Sequence, residues 1–285
     1  MSMTKKQLIM EKSIELFAKQ GFAATSVQQI TEHCGISKGA FYLSFKSKDE
    51  LVMALVDYFM EEFIAKLDYT VNHEEDILYH FYYEIFFTFK ENSSFAMLFI
   101  KEQALSFNEE FINKFTYYDH LFEKTIERMI EKVYDPSIQY LKFDLVFSIK
   151  GFLNTYTHIV LSYNESIDFD LHLLAKSLVE KTNILATHTK SPFFSEDLYQ
   201  RLHQSLTIEE TTKEELIQLV NGKIEEVEDV YVKESLSLLT EQLEERTLNN
   251  VLIKGLIENI RYHRECVWLS YLLFNYFKMD RALEK

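Results

Sequence analysis

The 285-residue chain is poor in the residues that bend and break a backbone, with six glycines and two prolines. So few breakers disfavour a sheet-rich fold with many tight turns. With 47% hydrophobic and 15% aromatic residues, disorder is disfavoured too. The glycines (Gly21, Gly35, Gly39, Gly151, Gly222 and Gly255) are not spaced as G-x-G-x-x-G or as a Walker loop, which excludes the common backbone cradles for nucleotide phosphates. No run approaches the ~18 uninterrupted apolar residues of a membrane span, so no membrane partner is expected. Cys34 and Cys266 stand alone and far apart. The opening MSMTKKQLIMEKS turns charged where a secretory leader turns apolar. The expectation is a cytoplasmic chain with reduced thiols and no leader to remove. None of the nine histidines follows a Glu by three residues, His73-Glu74 lacks the second His of a zinc-protease motif, and no G-x-S-x-G occurs. No catalytic residue, metal or cofactor is expected, and a helical enzyme is the weakest of the functional classes.

What is present is charge, unevenly placed. The net charge is -15, which argues against a surface coated uniformly by nucleic acid. Residues 1–52 carry seven lysines against five acids, or +2, so the remainder carries -17. A mildly basic tip on an acidic body fits polyanion binding at the tip. An acidic solvated surface with an ordinary N-terminus fits equally well, and spacing must decide.

Thr4 with Gln7 forms a capping box for a helix over about 4–20, which Gly21 ends. Thr25 or Ser26 caps a short helix with Val27, Ile30 and Cys34 on one side. Gly35 can adopt the left-handed conformation of a sharp turn. Ser37 then caps a second short helix in which Phe41 and Phe45 form a buried i, i+4 pair. Two short helices joined by a glycine turn make a helix-turn-helix. The outer face of the second carries Ser37, Lys38, Gly39, Tyr42 and Ser44, which suits close approach to a DNA groove. The competing reading of Gly39 is that it lets two helices cross closely. Ser47-Lys48-Asp49-Glu50 opens a longer helix with Leu51, Leu55 and Phe59 inward. Lys46 and Lys48 stand at its N-terminus, where cations oppose the helix dipole unless an anion such as phosphate lies there.

The stretch FAKQGFAATSVQQITEHCGISKGAFYLSFKSKDEL resembles the DNA-binding head of the TetR (tetracycline repressor) family of bacterial transcription factors. The resemblance is strong over about residues 4–55. It implies that Thr25, Ser26 and Gln28 touch the DNA backbone or groove, that Ser37, Lys38, Gly39, Ala40, Tyr42 and Ser44 lie on the recognition helix, and that Lys46 and Lys48 grip phosphate. Ala40 and Ser44 sit where the family reads bases. Both are small, so contact with thymine methyl groups and DNA shape would weigh more than hydrogen-bond readout. The expected fold is all-α, a three-helix head on a helical-bundle body. The expected function is a dimeric, ligand-responsive repressor of a palindromic operator on double-stranded DNA, with an efflux gene as a target. A helical adaptor without DNA binding is the alternative.

Beyond residue 55 helices are expected over about 74–90, from Ser93 or Ser94 to about 105, then 107–133, 135–163 (capped by Asp135 with Pro136 in its first turn) and 168–189 (capped by Asp168). The last two look like the family's dimer-forming pair, with Gly151 permitting a close crossing; ordinary internal packing fits the same pattern. Further helices are expected over about 195–205, 212–220, 222–246, 248–261 and 262–280. The division is therefore 1–50 head, 51–190 ligand-binding and dimerisation body, and 191–285 extra extension, for which packing onto the body is favoured, with a larger dimer interface or a second ligand pocket as the alternatives. Residues 79–118 are dense in aromatic side chains. Tyr82, Tyr83, Phe86, Phe87, Phe99, Phe115 and Tyr118, with Glu102, are the candidate lining for a bulky lipophilic inducer. For any single Phe the core is the better placement.

Overall fold

The computed structural model describes residues 4–96, 109–164, 166–203 and 211–277, and among them there is helix and no strand. The helices are α1 (Lys5–Gln20), α2 (Val27–Cys34), α3 (Lys38–Ser44), α4 (Lys48–His73), α5 (Ile77–Glu91), α6 (Glu109–Val133), α7 (Lys142–Ser162), α8 (Leu171–His188), α9 (Glu196–His203), α10 (Lys213–Glu226), α11 (Val230–Glu244), α12 (Asn250–Arg261) and α13 (Val267–Tyr276). Short 3-10 helices, Pro136–Leu141 and Arg264–Cys266, precede α7 and α13. The helix expected to reach residue 105, together with Phe99 and Glu102, falls largely outside the described residues.

Helix starts follow side-chain oxygens. Thr4 and Gln7, Ser26 and Gln29, and Thr212 and Glu215 form complete capping boxes, while Ser37, Asp170, Asp229 and Asn249 each accept a backbone N–H. Three expectations shift. Asp170 caps α8, and Asp168 instead accepts from Lys90 of α5 at 2.8 Å. Gly222 lies inside α10; the break comes at residues 227–229, where Asp229 captures the next N–H groups. The segment after Asp135 begins as 3-10 helix before α7.

The chain folds as two compact units, Met1–Met60 with His73–Ser205, and Glu61–Asn72 with Leu206–Lys285. The first holds α1–α3, the start of α4, and α5–α9. Its body core is built on Leu78, Phe81, Tyr82, Ile85 and Phe86 of α5, Ile126, Met129 and Ile130 of α6, and Leu145, Val146 and Ile149 of α7. The second has its own core of Leu216, Val220, Leu236, Leu239, Leu243, Ile253, Ile257, Ile260, Cys266 and Leu273. The first compact unit runs past residue 190. α9 belongs to the first unit because Tyr199 is buried there, stacked on Phe143 at 4.1 Å and bonded through its hydroxyl to Glu127 at 2.7 Å. The second unit takes in the Glu61–Asn72 stretch of α4, where the Arg261 guanidinium lies 3.7 Å from the centre of the Tyr69 ring and Arg264 pairs with Glu62 at 3.4 Å.

Candidate nucleic-acid interface

The head is closed from within by Ile9, Phe17, Ile30, Phe41, Phe45 and Leu51, all nearly fully buried. Phe17 meets Phe22 edge-on at 5.5 Å, and Phe41 lies 6.0 Å from Phe45, the i, i+4 pair expected of α3. Gly35 takes φ +66°, the left-handed geometry that reverses the chain between α2 and α3 without a Cβ penalty. His33 of α2 reaches Glu15 of α1 at 2.8 Å. The Glu15 carboxyl is held below its ordinary range by hydrogen bonds from Lys12 and then from His33.

This core fixes which side of α3 faces out. Ser37, Lys38 and Gly39 are exposed, and Tyr42 keeps 54% of its surface. A Cβ added at Gly39 would meet only Ser37 Oγ, at 3.8 Å, so nothing within the head demands glycine there. The close-crossing reading of Gly39 therefore has no support from the fold. Ala40 and Ser44 are half-buried, and the Ser44 hydroxyl turns back to the Ala40 carbonyl at 3.4 Å. Lys38 Nζ approaches Gln28 Oε1 at 3.4 Å, while Gln28 donates to Glu32 at 2.9 Å, so α2 and α3 share one exposed polar edge. Ser26 is exposed at the start of α2, and Lys46 is exposed beyond α3.

Two of the sequence-derived site residues are placed differently. Thr25 is buried; its hydroxyl donates to the Gly21 carbonyl at 2.7 Å and accepts from Gln20 at 3.1 Å. Lys48 Nζ donates to the carbonyls of Phe22 and Thr25 at 2.7 and 2.8 Å and sits 4.1 Å above the Phe22 ring. The ammonium at the start of α4 is thus turned to carbonyls of the α1–α2 turn. Sequence reasoning also passed over Leu43, which is 91% exposed at the tip of α3. The signal was available, since position 43 lies two residues from each member of the buried Phe41/Phe45 pair and so points away from both.

The described aromatic residues among those proposed for the body fall into separate groups. Tyr82 and Phe86 are buried in the α5 core, with the Tyr82 hydroxyl 2.7 Å from Thr182 Oγ1 of α8; burial pushes that hydroxyl's pKa well above its ordinary value. Tyr83 and Phe87 form an outer ladder, stacked at 5.8 Å, with His172 of α8 at 4.5 Å from Tyr83. Tyr118 donates to Asp57 of α4 at 2.8 Å beside Lys114, and Phe115 lies against Phe111 at 4.6 Å.

A buried aromatic wedge, a left-handed glycine turn and a capped short helix with an exposed hydroxyl, lysine and bare glycine define a helix-turn-helix DNA-binding protein. Residues 9–55 match the family model for bacterial regulatory proteins, tetR family. The head is therefore that of a tetR-family regulator, and the chain is similar to HTH-type transcriptional regulators over most of its length. YerO of Bacillus subtilis, an uncharacterized HTH-type transcriptional regulator, is 28% identical over 272 residues, covering 90% of this chain and 89% of YerO. A transcriptional regulator (TerR/AcrR family) from Aquifex aeolicus superposes with a TM-score of 0.52 at 26% identity, covering 64% of this chain and 99% of that one. FadR of Bacillus subtilis, solved in complex with stearoyl-CoA, superposes with a TM-score of 0.52 at 16% identity, covering 65% and 100%. About a third of this chain thus has no counterpart in those two structures, whereas the alignment with YerO runs nearly end to end.

Proposed function

We propose that the protein acts as a homodimeric repressor that holds a palindromic operator through paired α3 helices and releases it when a bulky lipophilic small molecule enters the body. The observation that carries the DNA-contact assignment is the outer edge of α3, where Ser37, Lys38, Gly39, Tyr42 and Leu43 are exposed. Lys38 and Ser37 supply phosphate contacts, and Gly39 lets the backbone approach. Tyr42 and Leu43 supply apolar surface to thymine methyl groups, a role that small Ala40 and Ser44 leave to their neighbours.

Dimerisation is supported by α7 and α8. Ile159, Leu173 and Ile184 expose 37%, 65% and 50% of their surface, and Gly151 has open space where a Cβ would stand. Two heads must meet major grooves about 34 Å apart, and a two-fold axis supplies that spacing. An acyl-chain ligand is favoured among lipophiles because FadR, which has the same fold, was solved with stearoyl-CoA. A ligand that switched the operator-bound state from 99:1 to 1:99 would have to prefer the released state by about 5.5 kcal/mol.

The test is selection of duplex DNA from a random pool, followed by gel shift. The wild-type chain should enrich a palindrome, and Lys38→Ala combined with Tyr42→Ala should abolish the shift with helicity unchanged by circular dichroism. Persistent binding by the double variant would show that another face touches DNA. Operator affinity unchanged across a panel of long-chain acyl compounds would count against induction by that class.

A further inference from the structure

A cluster between α6 and α9 is not explained by DNA binding. His120 and Glu123 lie one turn apart on α6, and His203 ends α9. One ligand atom from each lies within 4.8 Å of the other two. The Glu123 side chain is only 3% exposed and that of His203 17%. His203 Nε2 is 2.7 Å from Glu123 Oε2, and its Nδ1 is 2.8 Å from the Tyr199 carbonyl. A carbonyl oxygen only accepts, so the proton of His203 sits on Nδ1. Nε2 then presents a lone pair to a carboxylate oxygen, an arrangement that needs a second proton, on the ring or on the carboxyl, or a cation that both atoms bind. His120 supplies the independent observation: its Nδ1 is buried with no hydrogen-bond partner among the described residues. Its ring lies 5.8 Å from that of His203.

We propose that His120, Glu123 and His203 bind a divalent transition metal of zinc's chemistry, clasping α9 to α6. Two imidazole nitrogens and one carboxylate oxygen are a donor set zinc accepts, with the fourth position left to water. Donor atoms around a tetrahedral zinc stand about 3.3 Å apart, so the 2.7 Å His203–Glu123 pair must open and the 4.8 Å spread must close, each with side-chain movement of about 1 Å. The surrounding groups already orient the ligands. Lys150 holds Glu123 through Oε1, the Tyr199 hydroxyl donates to Oε2 at 3.2 Å and leaves that oxygen a second lone pair for the metal, and the Tyr199 carbonyl fixes His203 with Nε2 inward. The Tyr199 ring lies 4.2 Å from that of His203 and limits its rotation. The proposal stands apart from the DNA-binding reading, because no head residue takes part.

The test uses the full chain, stripped with a chelator, dialysed and titrated with cobalt(II). Expected are one cobalt per chain with visible absorption bands of a four-coordinate site, displacement by zinc, and a rise of about 5 °C in the unfolding midpoint of the first unit at a hundredfold zinc excess over Kd. H120Q and H203Q should each weaken uptake at least tenfold, while H158Q, at an exposed histidine of α7, should leave it unchanged. X-ray absorption at the metal bound to the wild-type chain requires no variant and should show imidazole in the coordination shell. Absence of stoichiometric uptake, uptake undiminished in H120Q and H203Q, or a shell without imidazole would overturn the proposal. So would a His203 that is a doubly protonated imidazolium by NMR and takes up no metal, because the second proton would then fill the place assigned to the cation.

Discussion

Glycine inside a seven-residue helix is a poor choice for stability, and at position 39 nothing in the head requires it. A Cβ there touches only Ser37 Oγ at an ordinary distance. Gly39→Ala should therefore stabilise the head by up to about 1 kcal/mol, through helix propensity alone. The same methyl group would stand between the α3 backbone and a DNA groove, so operator affinity should fall at least tenfold. A thermal melt and a gel shift on the same sample decide the matter. Stability and affinity moving in opposite directions assign glycine to the partner. A loss of both would mean that the methyl group disturbs the head itself. Gly35 is a different case. Its φ of +66° is a conformation that side chains resist, and substitution there costs stability whatever the partner. Both glycines are visible in the sequence, but only the fold separates the one required by geometry from the one left bare for approach.

At the scale of elements, what the sequence revealed was local. Caps and apolar spacing act within four residues, and α1, α2, α3, α5 and α12 begin and end within about three residues of where those signals place them. What stayed hidden was contact across the chain. Lys48 lies at the start of α4, and no sequence spacing tells that its ammonium reaches the carbonyls of Phe22 and Thr25, more than twenty residues back. Asp168 is likewise drawn from a capping role by Lys90 on another helix. The reading of Lys48 as a clamp has its own consequence. Lys48→Met keeps the stem and removes the charge. It should destabilise the head by about 2 kcal/mol, the usual scale for hydrogen bonds from a charged donor. Residual DNA binding should keep the wild-type salt dependence. A phosphate-gripping Lys48 would behave the other way, with an unchanged melt and a salt slope reduced by about one.

At the scale of the whole molecule the unexpected feature is that α4 is shared. Its first half belongs to the unit that contains the head, and its Glu61–Asn72 stretch is built into the unit formed by the C-terminal helices. The sequence marked residues 191–285 as additional but gave no sign of this, because the joining contacts link positions almost two hundred residues apart. Arg261 is central to them. Its guanidinium lies 3.7 Å from the centre of the Tyr69 ring and reaches the Ala65 carbonyl at 3.5 Å. Each unit also carries one cysteine, which makes its opening measurable. Cys266 is fully buried in the second core, and burial pushes its thiol up to about 11. Cys34 is half-buried in the head. At pH 8 a thiol near 11 is ionised to about one part in a thousand, so Cys266 should react with a thiol reagent far more slowly than Cys34, and mainly through opening of its core. Removing the arginine–tyrosine contact costs about 1–2 kcal/mol at a partly buried site. Arg261→Ala should therefore speed labelling of Cys266 about tenfold and leave Cys34 unchanged, with mass spectrometry of the two cysteine peptides as the readout. An unchanged Cys266 rate would mean that the second core closes without its grip on α4, and the assignment of Glu61–Asn72 to that unit would fail.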